Sequence, residues 1–189
     1  MWKFKDTGYP EKAYQNAKLY FAYGSNMSRN QMSARCPNSE YRGIAYLTGW
    51  KFLINSRGYA NIVHTAIDSD RVWGLLYWIY PDDEGSLDAY EGVPWAYGKH
   101  MHLVESPTCE EVGKMGRLRE ALVYVDEKRM TEGCIKKEYV RRMERAVTEA
   151  VESGVPRDYA DRVLEICCGR KERRKSELDT IGGGAARRN

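Results

Sequence analysis

The stretch Arg71-Val72-Trp73-Gly74-Leu75-Leu76-Tyr77-Trp78-Ile79-Tyr80 is the most apolar run in the chain. It is short, rich in aromatic residues and closed by Pro81-Asp82-Asp83, so it reads as a strand and not as a helix. Its apolar residues do not alternate with polar ones, which implies burial on both faces and a central place in a sheet or barrel. Gly74 inside it marks a bend, a bulge or a close approach by another group. A buried central strand needs partners on both sides, and the chain offers them. N-terminal to it, residues 20–23, 42–48, 50–56 and 59–66 read as strands. Trp50, Phe52 and Ile54 there alternate with Lys51 and Asn55, the period-2 pattern of a half-buried strand. C-terminal to it, residues 97–105 and 118–125 read as two more, joined by a polar hairpin loop.

Four helices are expected around these strands. Residues 28–36 form the first, which Pro37 ends by biasing Cys36 away from helix. Pro81 opens the second, with acids in its first turn where the helix dipole favours them. Gly92 closes it as a left-handed cap. Residues 135–153 carry Ile135, Tyr139, Met143, Val147 and Val151 on one stripe, with Lys136, Lys137, Arg141, Arg142, Glu144 and Glu149 on the remaining surface. Pro156 opens the fourth, residues 157–168. Strands come mostly in succession and the long helices late, which favours an α+β fold over a doubly wound one. Six or more strands in so short a chain suit a small mixed β-barrel or strongly curled sheet with flanking helices. Residues 1–168 are expected to be one domain, with 1–18 a surface lead-in and 169–189 a basic, flexible tail.

Composition narrows the function. Of 189 residues, 42% are hydrophobic, enough for a sizeable core. The net charge is +3, and residues 171–189 supply it with six basic against three acidic residues. The rest of the chain is neutral, which argues against a nucleic-acid-binding face. No apolar run approaches a membrane span, and the polar N-terminus lacks the apolar centre of a signal peptide. The five cysteines, Cys36, Cys109, Cys134, Cys167 and Cys168, are irregularly spaced, as for reduced thiols in a cytoplasmic protein.

Two places carry chemistry. The first is Tyr23-Gly24-Ser25-Asn26-Met27, where an apolar aromatic strand stops on a turn and a helix begins. This arrangement aims backbone N–H groups at an anion. The second is Glu91. It sits three residues after Asp88, on the same helix face, and immediately before Gly92. A carboxylate there opposes the helix dipole, and its neighbours Leu87, Tyr90, Val93 and Trp95 would desolvate it. Both effects raise its pKa, as a general base working near neutral pH requires.

Taken in order, Tyr20-Phe21-Ala22-Tyr23-Gly24-Ser25-Asn26-Met27, Val72-Trp73-Gly74-Leu75-Leu76-Tyr77 and Leu87-Asp88-Ala89-Tyr90-Glu91-Gly92-Val93 resemble the γ-glutamylcyclotransferase (AIG2-like) family. The family pattern is a Tyr-Gly-Ser-Asn loop, a Val-x-Gly strand and a Leu-Asp-x-x-Glu-Gly segment. The resemblance implies the small mixed barrel. It also implies cyclisation of a γ-glutamyl amide to 5-oxoproline with release of an amine or amino acid. Tyr23, Gly24, Ser25, Asn26 and Met27 would bind the substrate, Glu91 would be the general base and acid, and Tyr97, Tyr124 and Tyr139 would line the pocket. It implies a small-molecule γ-glutamyl substrate and no metal or organic cofactor. The departing amine stays open among glutathione, γ-glutamyl amino acids, γ-glutamyl-lysine and related side chains. The alternative is a non-catalytic binding module on the same fold. A serine hydrolase built on Ser25 lacks a Gly-x-Ser-x-Gly elbow. A metal enzyme would have only His100-x-His102 and Cys109 to build on.

Overall fold

The computed structural model describes residues 16–107 and 117–168. Most of the expected lead-in, nearly all of the loop between the last two strands, and the basic tail lie outside the described residues. The strands are β1 (Lys18–Ala22), β2 (Glu40–Thr48), β3 (Trp50–Ile54), β4 (Ala60–His64), β5 (Arg71–Ile79), β6 (Gly98–Ser106) and β7 (Arg117–Val125). The helices are α1 (Arg29–Arg35), α2 (Pro81–Glu91), α3 (Lys137–Glu152) and α4 (Arg157–Cys168). A 3-10 turn, Ser25–Met27, joins β1 to α1. The fold is α+β, as its sequence implies.

Five strands close a barrel in the order β1-β5-β2-β6-β7. The apolar run of the sequence is β5, which pairs antiparallel with β1 (Lys18↔Ile79 to Ala22↔Leu75) and with β2 (Glu40↔Trp78 to Thr48↔Arg71). Successive strand residues face opposite ways. Leu75 and Leu76 are nevertheless both fully buried, so β5 is covered on both faces. Gly74 answers to a close approach. A Cβ there would overlap the Ala22 carbonyl oxygen and come within 2.8 Å of the Phe21 ring. The barrel is sealed by a parallel pairing of β1 with β7, at Tyr20↔Leu122. The β6–β7 hairpin runs in register from Gly98↔Val125 to Ser106↔Arg117.

Two expectations need correction. Strands β3 and β4 do not join the barrel but form a two-stranded sheet of their own. The simple alternation along β3 also breaks down, since Leu53 and Asn55 are buried along with Phe52 and Ile54. Asn55 is inside because its carboxamide builds a turn. Its Oδ1 accepts from the N–H groups of Arg57 (3.0 Å) and Tyr59 (3.3 Å), and its Nδ2 donates to buried Asp126 (2.9 Å). A buried amide so bonded is satisfied, whereas an apolar residue would leave those N–H groups without partners.

Helix α2 ends as its sequence implies, on Gly92 in the left-handed region (φ 66°, ψ 42°). Helix α3 buries Tyr139, Met143, Ala146, Val147 and Ala150, the face its stripe marks out. It packs this face against the 3-10 turn and against α4. Its Glu149 reaches the start of α1, accepting from the Ser28 hydroxyl (2.8 Å) and the Arg29 N–H (2.7 Å). A carboxylate on a helix N-terminus is favourable, and here it fixes α3 to the turn.

Candidate active site

A cleft of about 200 Å³ opens where the 3-10 turn, the end of α2, the β3–β4 turn and α3 converge. That is below the roughly 300–1,000 Å³ of drug-sized sites, and suits a small ligand. Tyr23, Gly24, Ser25, Asn26, Glu91, Tyr97, Tyr124 and Tyr139 line it together. Met27 does not. Its side chain is 1% exposed and belongs to the core cluster, so its part is to anchor the turn from beneath. The backbone at Gly24 has no room to spare. A Cβ there would lie 3.1 Å from Ala60 Cβ and 3.2 Å from the Tyr139 hydroxyl.

Asn26 organises this half of the cleft. Its Oδ1 accepts from Gln31 Nε2 (2.7 Å) and Arg35 Nη1 (3.0 Å). Two donors on the oxygen fix the amide's orientation and turn Nδ2 toward the Tyr20 hydroxyl (2.9 Å) and Glu91 Oε1 (3.1 Å). All four hydrogen-bonding positions of the amide are thereby used. Gln31 also donates to Ser25 Oγ (2.9 Å), and Arg142 donates to the same oxygen (2.8 Å) while its Nε donates to Gln31 Oε1 (3.0 Å).

The Glu91 side chain is 18% exposed. Burial raises its pKa above the ordinary carboxylate value, and Arg35, Arg142, the Asn26 amide and Arg57 oppose that rise without cancelling it. Two of the four expected desolvating neighbours are largely exposed, while Leu87 is buried. Trp95 is 79% exposed and Tyr90 is 59% exposed, with the Arg35 guanidinium 4.3 Å from the Tyr90 ring. Glu91 is instead enclosed by the amide, the arginines and the buried tyrosines of the cleft. Asp88, on the same helix, points to a different task. It accepts from the Tyr124 hydroxyl (2.7 Å) and pairs with Lys99 (3.0 Å).

The tyrosines are committed in a consistent way. Tyr23 donates to the Tyr124 carbonyl (2.6 Å), Tyr97 to the Ala60 carbonyl (2.7 Å) and Tyr124 to Asp88. Each hydroxyl hydrogen is spent on the protein, so these oxygens face the cleft as acceptors. Tyr139 is the reverse: its oxygen accepts from the Ser25 N–H (3.3 Å), which leaves its hydrogen to donate. Burial raises the pKa of all four, so they stay neutral phenols at neutral pH.

Arg57 opens the stretch 57–61, one of those in which the sequence suggests specificity would lie, whereas Arg35 and Arg142 were not singled out from the sequence as site residues. Arg142 looks like part of the solvent face of its helix, yet it follows Tyr139 by three residues and so shares that face. Gln31 and Arg35 stand four apart on α1 for the same reason. Arg57 offers no periodic signal, because it sits in a turn. His100 and His102 stack on each other at 6.0 Å and on Trp50 through His102, away from the cleft. Among the described residues no group of three or more His, Cys, Asp or Glu is placed to hold a metal ion. No helix among them is long and apolar enough to cross a membrane.

A closed α+β barrel with a carboxylate and three arginines in one cleft defines a small-molecule site of a recognisable kind. The family model described as γ-glutamyl cyclotransferase, AIG2-like, matches residues 20–144, and the chain belongs to this family. A solved structure described as a γ-glutamyl cyclotransferase is similar at 24% identity and TM-score 0.63, over 78% of this chain and 86% of that one. An uncharacterized protein from Homo sapiens is similar at 25% identity and TM-score 0.63, with the same coverage. A yeast γ-glutamyl cyclotransferase specific to glutathione shares the fold at 13% identity and TM-score 0.53, over 80% of this chain and 95% of that one. A search of curated proteins finds no match.

Proposed function

We propose that this chain is a γ-glutamylcyclotransferase, converting a γ-glutamyl amide to 5-oxoproline and a free amine with Glu91 as general base and then general acid. The observation that carries this reading is Glu91 itself. It is a carboxylate of raised pKa, oriented by Asn26 at 3.1 Å, beside a turn with N–H groups suited to an anion.

The substrate's α-carboxylate would lie against the Gly24–Asn26 turn and the guanidinium of Arg142. Its α-ammonium would meet Glu91 and the acceptor oxygens of the tyrosines. Glu91 takes one proton from the ammonium, and the neutral nitrogen attacks the γ-carbonyl carbon to close a five-membered ring. The Tyr139 hydroxyl can donate to the developing oxyanion. Glu91 gives this proton to the leaving nitrogen as the old C–N bond breaks, then takes the second proton from the ring nitrogen and passes it to the freed amine, which leaves as an ammonium with Glu91 again a carboxylate. A base whose pKa lies nearer neutrality than an ordinary carboxylate is better matched to both transfers. Holding the glutamyl chain folded supplies proximity, the largest aid to an intramolecular reaction.

The test is 5-oxoproline release from a panel of γ-glutamyl compounds, comparing the parent with Glu91→Gln. Release that collapses in the variant supports the reaction and the base together. Ligand binding without release in either protein would replace this reading with a binding module, and release untouched by the substitution would remove Glu91 from its role.

A further inference from the structure

We infer that Arg57 is the specificity residue at the leaving-group end of the cleft, and that it selects γ-glutamyl α-amino acids, whose departing amine bears a carboxylate, over γ-glutamyl amines that lack one. The inference rests on the cyclotransferase reading for the orientation of the ligand.

Three observations carry it. First, Arg57 lines the cleft, and its Nη1 is buried with no hydrogen-bond partner among the described residues. Buried donors are almost always satisfied, and a charged one left unsatisfied is costly. The other two arginines are engaged. Arg35 is bonded to Asn26 and lies 3.8 Å from Glu91, and Arg142 is bonded to Ser25 and Gln31. Of the three, Arg57 alone has a buried nitrogen without a hydrogen-bond partner among the described residues.

Second, Arg57 is held in place and is not a stray surface side chain. Asn55 accepts from its backbone N–H, and Gly58 (φ +85°) accepts from the Lys136 N–H at 3.2 Å. A Cβ at Gly58 would come within 2.9 Å of the Cys134 carbonyl, so turn and neighbouring segment are in direct contact. The guanidinium lies 5.6 Å from the Tyr59 ring and 5.7 Å from the Tyr97 ring, both within cation–π range. Tyr59 is itself bonded to Glu138 at 3.1 Å. A planar fork held by aromatic faces is well suited to a carboxylate.

Third, the charges in the cleft do not balance for a simple γ-glutamyl amine. Arg35, Arg57 and Arg142 face Glu91, leaving an excess of two positive charges. A γ-glutamyl amine is a zwitterion with no net charge. A γ-glutamyl α-amino acid carries one further negative charge. With the α-carboxylate at the Ser25 side, the second carboxylate belongs at Arg57, whose Nη1 has no hydrogen-bond partner among the described residues.

The experiment measures kcat/KM for 5-oxoproline release from γ-glutamyl-alanine and from γ-glutamyl-alaninamide, which differ only in the carboxylate. It uses the parent, Arg57→Met and Arg57→Lys, with binding of both compounds followed by calorimetry. The parent should prefer the acid by about 10- to 100-fold, the range of a hydrogen bond to a charged group. Arg57→Met should bring that ratio close to one, and Arg57→Lys should restore part of it. A parent that turns over both compounds equally overturns the inference and leaves the reaction standing. So does a methionine variant that slows both equally. If neither compound is turned over, the reaction reading fails and the calorimetry decides Arg57. Tighter binding of the acid that is lost in Arg57→Met upholds it, and binding that ignores the carboxylate ends it.

Discussion

The two ends of the cleft are built differently. The Asn26 amide has a protein partner at all four of its hydrogen-bonding positions, and sits 4% exposed at the centre of a network of Tyr20, Gln31, Arg35 and Glu91. At the β3–β4 turn the backbone is bonded as well, yet the side chain it presents, Arg57, has a buried nitrogen without a hydrogen-bond partner among the described residues. The amide network of the first end is satisfied by the protein, and on the inference above a ligand carboxylate would complete the second. Preorganisation of that kind fits a division of labour. On the proposed reading, the Asn26 end would fix the part of the substrate that every turnover shares, while the Arg57 end would read the part that varies.

The largest effect should come from the Asn26 end. Glu91→Gln is expected to lower kcat/KM for 5-oxoproline release by about 10²- to 10⁴-fold, the range of general acid–base catalysis, in a steady-state assay. Next, Asn26→Ala strands Gln31, Arg35 and Glu91 together. It should cost about 2–4 kcal/mol in urea unfolding, from several buried groups left without partners. It should also reduce activity by loosening Glu91. The matching change at the other end, Asn55→Ala, frees the N–H groups of Arg57 and Tyr59 and should cost about 1–3 kcal/mol. It should lower the rate on the acid and leave the rate on the amide nearly unchanged, so that the acid-to-amide preference falls. Were Asn55→Ala to slow all substrates alike, the two ends would not be separable.

The smallest effect is a gain. The pKa of Glu91 is raised in the fold, mainly by burial. A raised folded pKa means that the neutral form is favoured. The contribution to stability is therefore present below the unfolded carboxylate value and is lost as pH rises through the folded one. Glu91→Gln should thus melt a few °C above the parent at neutral pH, with the difference vanishing in acid, as followed by scanning calorimetry. The same titration makes kcat/KM fall as pH drops through the raised value, because the base is then already protonated.

Much of the barrel is legible in the sequence because its signals are local. The unbroken apolar run of β5 announces burial on both sides, and Gly74 within it announces the passage of β1. Gly92 announces the end of α2, and with it the exposed carboxyl end where Glu91 sits. The separation of β3–β4 from the barrel is not legible. Strand periodicity reports which faces are buried, and says nothing of which strand edge supplies the partner. Asn55 escapes for a related reason. Its polarity looks like a solvent face until the N–H groups of residues two and four further on are seen to need it. Arg142 was within reach, since its spacing from Tyr139 places both on one side of α3. Trp95 misleads in the other direction: a large aromatic near Glu91 in sequence points to solvent in space.

The seam between β1 and β7 ties architecture to chemistry. Tyr20 is the β1 residue paired with Leu122 across the seam, and its hydroxyl also receives the Asn26 amide. Residues 20, 26, 57, 91 and 142 meet only when strands from opposite ends of the chain have come together. The chain cannot own half a site. In a refolding experiment, ligand binding would mark the moment of closure, with no fragment of the chain able to report it early.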